Sequence, residues 1–303
     1  MSKFNAYPKT WVAVAVAAAF GMTAHSAMAQ TITPIASTTG IATTLTSAVL
    51  ASGSGINVVS GSATYQGVNT ATLQQSGTYT GFNLTSSGHP TLTLPDGILL
   101  TTGSAALPHT NTAHPFSNVT GSGSNAALSA LSASQGGTDV TNDANALTFS
   151  FTVGAGTTSV SAQFLFGTEE FPTQSVTDIF GFFVDGVNYA KFSNGQLIAN
   201  TPGNPTNFFN NVSGSYGIEY DGLTQVFSVT GILGAGNGGV HTLTIGIADT
   251  SDSIYDSGVF FAGLKGGTET GGGGIPAVPE PETYALMLAG LGVLGMLARR
   301  RRR

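Results

Sequence analysis

In the stretch ALTFSFTV, Leu147, Phe149, Phe151 and Val153 fall on one parity, and Thr148, Ser150 and Thr152 fall on the other. Alternation with a period of two places the apolar set on one face of an extended chain, and that face must be covered. SVSAQFLF (159–166) repeats the pattern with Val160, Ala162, Phe164 and Phe166 on one side. HTLTIGIAD (241–249) does so with Leu243, Ile245 and Ile247. DIFGFFVDG (178–186) is more continuously apolar and reads as a central strand ending in an Asp-Gly turn, SGVFFAGL (257–264) reads as the final strand, and GILLTTG (97–103) is another apolar strand candidate. The turn at 154–156 joins two alternating strands, so 146–153 and 159–166 are expected to form an antiparallel hairpin.

Between these stretches Gly, Ser, Thr and Asn predominate, while Glu, Lys and Arg are scarce. Such a chain favours strands and turns over helices. One short helix is expected at 42–50. No fixed-period repeat is visible, which argues against a propeller or solenoid. The expectation is an all-β, single-domain β-sandwich or jelly-roll-like body over residues 30–265, with short helical signal segments at both ends of the chain.

Those ends read as addresses. Lys3 and Lys9 precede an apolar run from Trp11 to Met22, followed by Ala27-Met28-Ala29. This is the order of a secretory signal peptide over 1–29, with Gln30 as the new N-terminus. Glycines at 266, 267 and 271–274 suggest a flexible linker over 266–277. The last segment, 278–303, opens with Val278-Pro279-Glu280-Pro281, continues through an apolar stretch from Tyr284 to Ala298, and closes on five arginines. As a helix the stretch would reach about 23 Å, against a hydrocarbon core of about 30 Å. Flanking residues and local thinning can accommodate a short helix, and the arginines would hold the C-terminus in the cytoplasm. A transient inner-membrane anchor is therefore expected.

Without these ends the charge changes. The full chain has nine Lys and Arg against fifteen Asp and Glu. Between Gln30 and Val278 only Lys191 and Lys265 remain, facing thirteen acids, for a net charge of −11. A body without arginine cannot build a phosphate-binding surface, which excludes nucleic acid as a partner. The chain has no cysteine, so disulfides, thiolate zinc sites and cysteine nucleophiles are excluded.

Nine of the thirteen acids lie between Glu169 and Asp256, mostly beside strands rather than within them. Carboxylates without cations repel one another, and calcium accepts oxygen ligands of this kind. Glu169, Glu170, Asp178, Asp249, Asp252 and Asp256 are the candidate calcium ligands, a choice resting on composition because no EF-hand spacing is present. The alternative reading is turn-forming and solubilising surface charge. A carbohydrate-active enzyme using carboxylates in 169–256 is the second functional class. Adjacent Glu169 and Glu170 would, however, point to opposite faces of an extended strand, whereas a glycosidase pair must flank one bond. The histidines are scattered, His241 reads as structural at a sheet edge, and no G-x-S-x-G elbow occurs. No catalytic residue is named.

The segments GILLTTG, DANALTFSFTV with Asp143, FLFGTEEFP, TDIFGFFVDGVN, NFFNN, YDGLTQVFSV and IGIADTSDSIYDSGVFF follow one another in order. Over about residues 45–264 the chain resembles the choice-of-anchor L domain of secreted bacterial proteins. Thr168-Glu169-Glu170-Phe171 stands where that family usually has Ser-Glu-Glu-Tyr, and the changes keep a hydroxyl and an aromatic ring. The tail resembles the PEP-CTERM sorting signal. That resemblance implies processing by an exosortase-type membrane enzyme, delivery to the cell surface or outside, and an association with exopolysaccharide and biofilm. The expected function is a non-enzymatic surface or extracellular-matrix protein, acting by adhesion or by binding exopolysaccharide or a cell-surface glycan, with calcium as a stabilising ion.

Overall fold

The computed structural model describes residues 30–275, apart from 113–114, 135–139, 173–177, 200–204 and 235–237. The signal-peptide residues Ala27 and Ala29 and the sorting residues Val278 to Pro281 lie outside the described residues. No helix among the described residues is long and apolar enough to cross a membrane.

The first half contains β1 (Thr31–Pro34), α1 (Ile41–Val49), β2 (Ile56–Val58), β3 (Thr64–Gln66), β4 (Ser76–Thr80) and β5 (Asn83–Leu84). It continues with β6 (Leu92–Thr93), β7 (Gly97–Thr101), α2 (Ala126–Ala133) and β8 (Thr141–Val153). The second half adds β9 (Ser159–Thr168), β10 (Ile179–Val184), β11 (Val187–Asn188), β12 (Phe208–Asn210) and β13 (Gly222–Thr224). It ends with β14 (Phe227–Ile232), β15 (His241–Thr250), β16 (Ser257–Gly267) and β17 (Gly273–Ile275). One sheet runs β1-β4-β7-β16-β9-β13-β12, with β14 also on β9 and β17 on β14. The other runs β11-β10-β15-β8-β2, with β3 also on β8. All these strand pairs are antiparallel. The body is an all-β sandwich, as its alternation requires.

The expected hairpin does not form. The two strands are present, but β8 pairs with β15 and β9 pairs with β16, in different sheets. The turn at 154–156 is an arch between layers. Leu147, Phe149 and Phe151 of one strand and Val160, Phe164 and Phe166 of the other belong to one buried core. Their apolar faces are thus buried in the same core instead of lying side by side in one sheet. Alternation alone fixes the facing and leaves the partner undetermined. Rings from the two sheets meet there, with Phe164 and Phe180 centroids 4.9 Å apart and Phe182 and Phe261 centroids 5.5 Å apart. Helix α1 adds Ile41, Leu45 and Val49, one helical face, to the same core.

Each sheet also has a covered outer face. On the larger sheet, Leu99, Leu165 and Phe260 turn outward into a second cluster with Tyr79, Phe82 and Tyr220. On the smaller sheet, Ile179 and Phe183 face Leu128 of α2. Asn125 caps that helix, its side chain accepting from the Ala127 and Leu128 amides at 3.1 and 3.2 Å. Leu128 fits because Gly181 and Gly246 are cross-strand partners beneath it. A Cβ at Gly181 would overlap the Phe183 ring, and one at Gly246 would sit 3.2 Å from Leu128.

Within the segment expected as a flexible linker over 266–277, the described residues 266–275 pack on the body. β16 runs on to Gly267, and the segment then folds back. The Thr158 hydroxyl donates to Glu269 O at 3.0 Å, the Glu269 amide donates to Ser159 Oγ at 3.0 Å, and β17 pairs with β14. The absence of a Cβ at Gly272 lets the chain lie against the Tyr189 ring.

Candidate functional site

Except for Asp185, which lies exposed in the β10–β11 turn, the acids of 169–256 converge at one end of the sandwich, where β9, β15 and β16 finish or begin and β10 starts. They are not solvated surface charge. Glu169, Glu170, Asp178, Glu219, Asp221, Asp249 and Asp256 are buried, as is Asp143 of β8. Asp252 is half-buried. Strand ends separated widely in sequence are brought together by the antiparallel ladders β9–β16 and β8–β15.

One group of these acids holds the long irregular segment between β7 and α2. Asp256 accepts from the Asn118 amide at 2.8 Å and from Asn118 Nδ2 at 2.7 Å. Gly103 permits this placement, since a Cβ there would overlap the Asp256 carboxylate. Asp143, with a left-handed φ of 44°, accepts from the Thr120 and Gly121 amides at 3.0 and 2.6 Å. Asp221 accepts from Asn111 Nδ2 at 2.8 Å, and Glu169 and Glu219 approach the Phe116 and Thr112 amides at 3.4 and 3.5 Å. A carboxylate receiving amide protons in a buried site makes charge-assisted bonds, and it replaces the partners the loop backbone would otherwise lack. Burial nevertheless dominates: it raises the Glu169 carboxyl to about 9, helped by the Asp221 charge, and the Asp256 carboxyl to about 6 despite the Asn118 bonds.

A second group is differently placed. Glu170 Oε2 accepts from the Asp178 amide at 2.7 Å. Beyond it, both carboxylate oxygens of Asp178 and Oδ1 of Asp249 are buried without a hydrogen-bond partner. The Ser257 hydroxyl stands beside Asp178, outside strict hydrogen-bond geometry, and the Asp249 carboxyl is close by. The Thr102 hydroxyl faces Asp249. Burial pushes Asp178 well above the usual carboxylate range and the Glu170 charge adds to it; burial and then Asp178 do the same to Asp249. Asp252, the remaining candidate, closes a local turn by accepting from the Ile254 amide at 3.2 Å. Among the described residues, no group of three or more His, Asp and Glu side chains is arranged to hold a metal ion.

His241 is structural in its contacts. Its Nδ1 lies 2.7 Å from Asp185 Oδ2, and Asp185 Oδ1 accepts from the Thr242 amide at 2.8 Å, which ties the β10–β11 turn to the start of β15.

Away from the acids, on the outer side of the larger sheet, lies a cleft of about 490 Å³. Ladder register places Lys265, Ser161 and Thr230 in one row across β16, β9 and β14, and Gln163 and Ser228 in the next. Glu269 completes the polar lining. This site was not foreseen from the sequence. Its signal was the run of Ser and Gln on the outward parity of 159–166 together with Lys265.

The model of the choice-of-anchor L domain family matches residues 34–265, nearly the whole sandwich. The chain belongs to the choice-of-anchor L domain family. The PEP-CTERM protein-sorting motif matches residues 277–303. No curated protein and no solved structure matches the chain. In this choice-of-anchor L domain, the stretches FLFGTEEFP and ADTSDSIYDSG carry half of the buried acids: Glu169, Glu170, Asp249 and Asp256. The sorting motif marks the chain as an exported, surface-associated protein handled by exosortase-type machinery. The two matches together fit a surface protein rather than a catalyst.

Proposed function

We propose that the protein is a non-enzymatic component of the cell surface or extracellular matrix that binds a neutral exopolysaccharide or cell-surface glycan. The reading is carried by the cleft over β9, β14 and β16, whose hydroxyl, amide and ammonium side chains can exchange hydrogen bonds with sugar hydroxyls. The body's net charge of −11 disfavours an anionic polymer. The sorting tail supplies the location: in this reading it parks the body at the inner membrane until an exosortase-type enzyme removes it. Deep burial of seven of the nine acids in 169–256 argues against their use as a glycosidase pair, which must flank a substrate bond in an open cleft.

Co-sedimentation of the full chain with a neutral glucan tests this. Binding is expected without release of reducing ends, and the double change Gln163→Ala, Ser228→Ala is expected to weaken it about tenfold. Failure to bind any neutral polysaccharide removes the proposal. Release of reducing sugar, abolished by Glu170→Gln, would establish the enzyme instead.

A further inference from the structure

Both lysines of the body, Lys191 and Lys265, are exposed, so neither neutralises the acids buried at the far end of the sandwich. Most of those acids meet amide protons. The Asp178 carboxylate does not: it is 1% exposed, and both its oxygens lack a hydrogen-bond partner. Asp249 is 2% exposed and leaves Oδ1 in the same condition, as does the fully buried Ser257 with its hydroxyl. Four oxygens of neighbouring groups are thus buried together, none of them in a hydrogen bond of good geometry. An oxygen-only set with two carboxylates suits a hard divalent cation, because two negative charges balance one dication and hydroxyl, carbonyl or water oxygens complete its shell.

We infer that Asp178 and Asp249 are the carboxylate ligands of a calcium site, with the Ser257 and Thr102 hydroxyls beside them. Glu170 positions Asp178 by accepting its amide proton. The six-residue calcium set expected from composition is thereby narrowed to two. Asp256 and Glu169 are engaged with the 103–125 segment, Asp252 serves a turn, and Glu170 acts through Asp178. Two carboxylates also accord with there being no three-acid arrangement among the described residues. The inference is independent of glycan binding, since the cleft is built from other residues on another face.

The test uses the full chain stripped with a chelator at pH 7.5 and titrated with calcium chloride. Calcium at a hundredfold excess over Kd is expected to raise Tm by about 5 to 10 °C. Asp178→Asn and Asp249→Asn are expected to fold and to lose that shift, whereas Asp252→Asn and the cleft double variant keep it. The charges facing the pair are those of Glu170, Asp143 and Asp256. If the pair instead shares a proton, Tm will ignore calcium, which overturns the inference. A calcium shift that survives both Asn variants overturns it as well.

Discussion

Asp256 and Asp178 are both about 2% exposed or less and stand at the same end of one sandwich, yet their surroundings are opposite. Asp256 receives protons from both nitrogens of Asn118, while the Asp178 oxygens receive none. A buried carboxylate costs free energy through lost hydration, and amide donors or a cation can each offset that loss. The first holds part of the protein's own chain in place; the second is the carboxylate for which a cation is proposed. Burial by itself therefore does not distinguish a structural acid from a binding one. The partners do.

The largest expected effect breaks the structural side of this comparison. Asp256→Ala should destabilise the fold by about 3 kcal/mol, because it leaves the Asn118 donors without their acceptor in a buried place. In chelator, Asp178→Asn should do the reverse and stabilise modestly, by about 1 kcal/mol, since a neutral amide has no ionised form for the buried site to disfavour. Urea denaturation of the two variants side by side measures both signs, and equal losses would erase the distinction.

The next effect is on pH dependence. Asp256 at about 6 and Glu169 at about 9 are raised chiefly by burial, so the folded state holds protons that the unfolded chain releases near pH 4. Their contribution to stability is complete below about pH 4 and is lost as pH rises through 6 and then 9. Without metal, the urea midpoint should be higher at pH 5 than at pH 9; a rising profile would contradict the buried-acid account. The smallest effect is expected at half-buried Asp252, where Asp252→Asn should change stability by less than about 0.5 kcal/mol.

Much of the fold was legible. The strands at 97–103, 146–153, 159–166, 241–249 and 257–264 and the helix at 42–50 announce themselves through spacing, and each appears. The partner of each strand was not legible, because Leu147 and Phe164 carry the same inward signal whether their strands pair or face each other. Helix α2 escaped notice because AALSALSA is weakly amphipathic and its cap, Asn125, sits in a polar run resembling any loop. At the site, the concentration of acids near strand ends was visible, and they do converge. Their division of labour was hidden, because the deciding donors at 116–121 are distant in sequence and come mostly from backbone amides.

The arch between β8 and β9 has a consequence for an exported chain, which is synthesised N-terminus first. Phe149 must wait for Leu243, and Leu99 for Phe260, before either sheet has its central ladder. Early strands thus emerge with open edges and no permanent partners, a state exposed to proteases and to other chains. Closure comes only with β16, and the sorting motif begins about ten residues behind it. Completion of the fold and emergence of the sorting motif are therefore nearly one event, so a chain cut short before β16 would lack both the central ladders of the larger sheet and the sorting motif.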